Sequence, residues 1–187
     1  MNKIIFSIIT SFIVFISGCV SSTLILSSLA IKTSADPRSI GTQIDNFTLK
    51  VKIYKSILQN DLIKTKESRI SVIPYENKIL IIGQVPNNYL FNHVQKIVQS
   101  FDYDKEIYNE IRIKNKISFM QNIKDSWISS QSYFYLIKSK NIKTKNLKIL
   151  TENGEVFLLG NASQKEIKNI IKIISNIKGV NCIINIL

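Results

Sequence analysis

Two segments of this chain repeat one pattern, and that repeat constrains the fold more than any other feature of the sequence. Residues 79–84 read ILIIGQ and residues 156–161 read VFLLGN, so each is an apolar run that ends in glycine and an amide side chain. A segment with alternating apolar residues precedes each run, at 69–75 and at 146–152. Short apolar runs and alternation are both typical of β-strands. The sequence therefore predicts two copies of a strand pair.

Tight turns and amphipathic helices complete each copy. The strands are joined at Glu76-Asn77 and at Asn153-Gly154, and Asn-Gly is the pair most typical of a hairpin whose turn needs positive φ. After each glycine-ending run, apolar residues recur at helical spacing. They are Leu90, Val94, Ile97, Val98 and Phe101 in the first copy, and Ile167, Ile170, Ile171, Ile174 and Ile177 in the second.

One more helix and one more strand belong to each copy. A helix is predicted before each hairpin, at about 47–59 and 122–139, and a closing strand follows at 106–113 and 180–187. Each unit thus reads α-β-β-α-β, an α+β architecture in which a mixed sheet carries both helices on one face. The predicted domains are 47–115 and 116–187. Ser163 and Glu166 have the spacing of a capping box at the start of the last helix.

The N-terminal residues have the pattern of an export signal. Lys3 is followed by an apolar run over 4–16 and then by Ser17-Gly18-Cys19. A basic start, an apolar core and small residues before a break are typical of a signal peptide. Cysteine after Ser-Gly favours a lipoprotein, with residues 1–18 removed and acyl chains on Cys19; an uncleaved membrane anchor is the alternative. Residues 19–46, rich in Ser and Thr, are predicted to be a flexible tether.

Composition favours an anionic partner and gives little support to catalysis. The formal net charge is +12 over 187 residues, which favours phosphate, nucleic acid or lipid headgroups. An exported lipoprotein does not meet nucleic acid. A single histidine, His93, lacks a nucleophile and an orienting carboxylate in any recognisable pattern. Cys182 is predicted to be a buried, inert thiol, and the acids at 102–110 lack the glycine-punctuated loop of a calcium site. No metal, cofactor or catalytic residue is therefore predicted.

The doubled unit resembles the BON domain, and the whole chain resembles lipoproteins with two BON domains. The segments that carry the likeness are Ser17-Gly18-Cys19, 36–43 (DPRSIGTQ), 107–112 (IYNEIR) and 151–158 (TENGEVFL). The resemblance implies a non-enzymatic outer-membrane lipoprotein that faces the periplasm of a Gram-negative bacterium. It also implies that the second BON domain binds anionic phospholipid (phosphatidylglycerol or cardiolipin) and supports envelope integrity.

The helix predicted at 122–139 has more apolar surface than its own domain needs. Ile128, Ser132, Tyr135 and Leu136 form its expected core face. Trp127 and Phe134 lie off that face. Ile137 flanks them, and Lys124, Lys138 and Lys140 surround them. Aromatic rings ringed by ammonium groups suit a membrane interface. Periodicity alone leaves open that the two rings pack against the other domain, whereas the resemblance favours lipid. A periplasmic adaptor that binds a protein, such as an outer-membrane assembly component, is the rival function.

Overall fold

Two α-β-β-α-β units follow one another in the computed structural model, which describes residues 40–59, 63, 67–101, 104–139, 142 and 144–187. The helices are α1 (Ile40–Ile57), α2 (Asn88–Gln99), α3 (Phe119–Lys138) and α4 (Gln164–Ser175). The strands are β1 (Arg69–Tyr75), β2 (Lys78–Val85), β3 (Glu106–Ile113), β4 (Leu147–Glu152), β5 (Glu155–Gly160) and β6 (Cys182–Ile186). This order confirms the predicted architecture. The predicted signal peptide, Cys19 and Lys140 lie outside the described residues.

Each unit contains one small mixed sheet. In the first unit β2 pairs antiparallel with β1 and parallel with β3, and in the second β5 pairs in the same way with β4 and β6. The hairpin turns lie where the sequence predicts them. Glu76, Asn153 and Gly154 have φ of 52°, 54° and 76°, the left-handed conformation that a tight hairpin requires.

The first helix of each unit begins earlier than the sequence predicts. α1 begins at Ile40 rather than near 47, and α3 begins at Phe119 rather than near 122. The last residues of the predicted tether, 40–46, are therefore helical. Asn46 is buried at helical spacing ahead of Ile53 and Ile57, so the extension continues the face of α1 that packs on the domain. Ser118 fixes the start of α3, since its side chain accepts a hydrogen bond from the Gln121 N–H.

The central strands are apolar on both faces because each face contacts a different core. In β2, Ile79 and Ile81 pack beneath the helices of the first unit, while Leu80 and Ile82 point the other way. In β5, Val156 and Leu158 likewise pack against the helices of the second unit. The residues on the opposite faces form one shared cluster: Ile73, Tyr75, Leu80, Ile82, Phe157, Leu159 and Ile186. The two sheets therefore pack face to face, with the helices outside.

Polar contacts join the two units at the edges of this shared core. Glu152 is buried and accepts hydrogen bonds from Arg69 Nε (2.8 Å) and from Gln84 Nε2 (2.9 Å), both in the first unit. Arg112 pairs with Glu155 at 2.8 Å. These contacts and the shared cluster make residues 39–187 one compact unit. Because it holds its own cores, we expect it to fold without the N-terminal segment.

Gly83 allows close approach of the β1 and β2 backbones. Its φ is +133°, and a Cβ placed there would lie 2.0 Å from the carbonyl oxygen of Arg69. Glycine is the residue that accepts this conformation and this contact without strain.

Candidate functional site

The core face of α3 fixes how this helix lies on its sheet. Ile128, Ser132 and Leu136 are buried at spacings of four residues, and they rest on the second unit. Ser132 donates to the Ile128 carbonyl within the helix, so its hydroxyl is satisfied in the core. Tyr135, which the sequence placed on this face, is 43% exposed instead. Tyr133 replaces it, because Tyr133 packs against the core and its hydroxyl accepts from the Ile149 N–H.

Asp125 ties α3 to the β4–β5 hairpin, a role that no pattern in the sequence indicates. The carboxylate is almost fully buried and accepts hydrogen bonds from the backbone N–H of Asn153 (2.7 Å) and of Gly154 (2.9 Å). Gln121 donates a third bond at 2.9 Å from Nε2. A carboxylate that accepts three N–H groups is held firmly. Asp125 therefore sets the rotation of α3 and decides which of its faces meets solvent.

The opposite face of α3 is an exposed apolar stripe. Trp127 and Phe134 are each 63% exposed and Ile137 is 64% exposed. The interpretation that buries these two rings between the domains is wrong, because the sheets, and not α3, make the inter-domain core. Phe119, Met120 and Ile123 are also exposed on this face, although the sequence pattern did not indicate them. We call the α3 stripe the set Phe119, Met120, Ile123, Trp127, Phe134 and Ile137.

The α3 stripe runs the whole length of the helix. At 100° per residue its members fall within an arc of about 100°, and at 1.5 Å per residue they span about 27 Å. Beside it, Trp127, Phe134 and Tyr135 line a shallow cleft with Ser130 and Gln131. The Tyr135 ring meets the Phe134 ring edge-on at 5.5 Å between centroids. Phe119 and Met120 were missed because the predicted helix began after them.

Positive charge lies along one edge of the α3 stripe. Lys124 and Lys138 are both exposed, and Lys138 lies within the arc of the stripe near the helix C-terminus. Asp125 is the one acidic residue in the sequence of α3, and it is buried on the other face. The solvent face of this helix therefore combines apolar side chains with ammonium groups and has no carboxylate.

Exposed apolar side chains are concentrated on the first helix of each unit. Among the described residues, fourteen large hydrophobic side chains are exposed; seven belong to α3 and four to α1. α2 has one, Tyr89, and α4 has none. Isolated exposed hydrophobics are ordinary, whereas a contiguous patch marks an interaction surface. This distribution selects α3 as the candidate site.

The other candidate residues, His93 and Cys182, do not belong to an exposed apolar patch of this kind. His93 stacks on Tyr89 at 6.3 Å between ring centroids. Cys182 is exposed rather than buried, since it opens β6 at the edge of its sheet. Desolvation, with the nearby Glu155 charge, raises the pKa of the Cys182 thiol above its ordinary value. Over the described part of the chain, no group of three or more His, Cys, Asp and Glu side chains is arranged to hold a metal ion.

Comparison with known proteins identifies the two units. The sequence model of the BON domain matches residues 45–115 and 124–187. The chain belongs to the BON-domain family. The matched segments begin inside α1 and α3, so the first residues of both helices, including Phe119 and Met120, precede the family match.

Relatives extend along most of the chain. It is 36% identical over 173 residues to the outer membrane lipoprotein DolP of Haemophilus influenzae, covering 92% of this chain and 89% of that protein. It is 35% identical over 152 residues to a 21 kDa hemolysin of Actinobacillus pleuropneumoniae, covering 81% and 78%. Among solved structures, the C-terminal domain of the Chlamydia trachomatis type III secretion protein CdsD aligns with 74% of this chain and 95% of that domain. Its TM-score is 0.31 and its sequence identity is 12%, so this likeness is too distant to support an argument. None of the helices described here is long and apolar enough to span a membrane.

Proposed function

We propose that this protein is a non-enzymatic outer-membrane lipoprotein that faces the periplasm and binds anionic phospholipid through the α3 stripe. Acyl chains on Cys19 attach it to the bilayer after residues 1–18 are removed. The second BON domain then contacts phosphatidylglycerol or cardiolipin headgroups, and this contact supports envelope integrity. The observation that carries the proposal is the exposed apolar face of α3 with its flanking lysines.

The geometry of α3 suits a helix that lies in the membrane interface. Such helices bury one apolar face a few ångströms into the headgroup region and keep lysines at its edge. Trp127 and Phe134 provide rings for the interface, and Phe119 and Ile137 extend the apolar contact toward both helix ends. Lys124 and Lys138 lie where their ammonium groups can reach lipid phosphates.

Charge makes the contact selective for anionic lipid. Residues 116–187 contain 11 basic and 4 acidic residues, a net charge of +7. Each lysine near an anionic surface contributes about 1 kcal/mol. Two lysines and partly inserted rings give weak binding by themselves. Weak binding is sufficient here, because acyl chains on Cys19 hold the domain at a high local concentration near the bilayer.

The relative DolP supports the proposed location, since its name describes an outer membrane lipoprotein. The Ser17-Gly18-Cys19 motif supports attachment by lipid. Two or more acyl chains make a stable anchor, so α3 determines orientation and lipid preference rather than whether the protein is membrane-bound.

Flotation with vesicles tests the lipid contact without the anchor. Residues 20–187 would be mixed with vesicles of phosphatidylglycerol, cardiolipin or phosphatidylcholine and centrifuged through a density gradient. We expect flotation with the two anionic lipids alone, and weaker flotation as salt is raised. Trp127→Glu should abolish it. Asn169→Glu is the matched control, because it adds the same charge at an exposed position of α4 and should float like the parent.

Two results would contradict the proposal. Equal flotation with phosphatidylcholine would remove the role of lipid charge. Flotation of Trp127→Glu at the level of Asn169→Glu, or no flotation at all, would assign α3 to a protein partner, as in the adaptor function.

A further inference from the structure

α1 has its own exposed apolar stripe, which the function proposed above does not use. Ile44, Phe47, Val51 and Tyr54 are all exposed, and Phe47 is 67% exposed. Their spacings of three, four and three residues place them within an arc of about 80° on the helix. We call these four residues the α1 stripe. Ile53 and Ile57 occupy the core face of the same helix, so the α1 stripe is surplus to the packing of the first unit.

The α1 stripe has cationic edges. Lys50 lies on one side of it and Lys55 on the other, and both are exposed. Lys52 points elsewhere, with its ammonium group 5.4 Å from the centre of the Phe101 ring. Asp45, the one acidic residue in the sequence of α1, lies more than a quarter turn from the stripe. The α1 stripe therefore has the same chemistry as the α3 stripe.

The two stripes meet at one cleft. Tyr54, at the end of the α1 stripe, and Phe119, at the start of the α3 stripe, both line a cleft of about 520 Å³. Lys116 and Ser118 of the segment before α3 also line it, as do Arg69 and Ser71 of β1. The ends of the two stripes thus border one cleft between the BON domains, whose lining is largely polar and includes the ammonium group of Lys116. The guanidinium group of Arg69 is paired with Glu152.

We propose that the α1 stripe is a second membrane-docking surface, which contacts the same anionic bilayer as the α3 stripe. This inference rests on the function proposed above and adds a contact from the first BON domain. The cationic edges select an anionic surface, and the cleft shared by Tyr54 and Phe119 brings the end of the α1 stripe close to the start of the α3 stripe. When both α1 and α3 contact the bilayer, the compact unit has a defined orientation on the membrane. With α3 alone in contact, the unit could rotate about that helix.

Vesicle affinity tests the proposal on residues 20–187. Phe47→Glu should weaken binding to phosphatidylglycerol vesicles about tenfold, because one apolar anchor is lost and one repulsive charge is added. Thr48→Glu is the matched control, since Thr48 is exposed on α1 but lies outside the α1 stripe. Circular dichroism would establish that each variant is folded.

An environment-sensitive dye reports contact directly. In a Cys182→Ser background, Phe47→Cys and Thr48→Cys would each be labelled with a nitrobenzoxadiazole dye. We expect the emission of the dye at 47 to shift to the blue with phosphatidylglycerol vesicles, and the emission at 48 to shift less. The result that overturns the proposal is no shift at 47 together with equal affinity of Phe47→Glu and Thr48→Glu.

The variants separate this inference from the function on which it rests. Loss of binding in Trp127→Glu with parent-like binding in Phe47→Glu overturns the α1 contact and leaves the α3 contact intact. Loss in Phe47→Glu with parent-like binding in Trp127→Glu overturns the α3 contact and retains the α1 contact. If Phe47→Glu instead converts a dimer to a monomer in sedimentation, with vesicle binding unchanged, the α1 stripe is a self-association surface and the proposal is wrong.

Discussion

Asp125→Ala tests whether one buried carboxylate holds the membrane-facing helix in place. The substitution removes the acceptor of two backbone N–H groups in the β4–β5 turn and of the Gln121 amide. A hydrogen bond to a charged group contributes about 1.5–3 kcal/mol, and a buried donor left without a partner costs about 1–3 kcal/mol. The Gly154 N–H is buried, whereas Gln121 is partly exposed and can rehydrate.

We therefore expect Asp125→Ala to lower the free energy of unfolding by about 3 kcal/mol, which corresponds to a fall in Tm of about 6–12 °C for a unit of this size. Asp125→Asn should recover part of the loss, since its carbonyl oxygen can still accept one N–H while its amide faces donors. Urea unfolding of residues 20–187, followed by circular dichroism, measures the change. Lys124→Ala is the control, because Lys124 is exposed on the neighbouring position and should cost less than about 0.5 kcal/mol. A loss below about 1 kcal/mol in Asp125→Ala would refute the role assigned to the carboxylate.

Three further substitutions or measurements test other parts of the account. Glu152→Ala leaves the buried Gln84 amide without its acceptor, so we expect a loss of about 2 kcal/mol in urea unfolding; a neutral effect would mean that the contact between domains does not need it. Gly83→Ala places a Cβ against the Arg69 carbonyl at positive φ, and should destabilise by about 3 kcal/mol in the same assay, unlike an alanine at exposed Gln99. Alkylation of Cys182 should rise with pH around a midpoint above that of a free cysteine, because its pKa is raised; a midpoint at the ordinary value would contradict this.

The strands and turns were predictable because their signals are local. Residues 79–84 are apolar on both faces, and the structure explains this by placing one core on each face of β2. Asn153 and Gly154 form a turn with positive φ because their own backbones accept it. The capping box of Ser163 and Glu166 forms as the sequence indicated. In each case the residues that carry the signal are also the residues that adopt the structure.

The start of α1 and the role of Asp125 depend on partners distant in sequence. Residues 40–46 have no long apolar run and so resemble a tether, yet they are helical and Asn46 is buried on the domain side of α1. Asp125 contacts the backbone of a turn 28 and 29 residues away, and no side-chain pattern marks a backbone partner. The extent of the α3 stripe was missed for a related reason, since Phe119 and Met120 enter it only once Ser118 caps the helix.

The packing of one sheet on the other could not be derived from periodicity either. The alternation in β2 and β5 shows that a second face is buried, but does not say what covers it. In a tandem repeat, this second face can be covered by the sheet of the other domain or by one of its helices. The shared cluster around Leu80 and Phe157 selects the sheet, and this leaves the rings of α3 free to face solvent.

Emission from Trp127 is the most direct test of the claim that the α3 stripe enters the membrane, because this residue is the single tryptophan of the chain. Residues 20–187 would be titrated with phosphatidylglycerol and with phosphatidylcholine vesicles while tryptophan emission and its quenching by iodide are recorded. We predict a blue shift and protection from iodide with phosphatidylglycerol, and neither change with phosphatidylcholine. Emission and quenching that stay at their solution values while the protein is bound to phosphatidylglycerol would contradict the account.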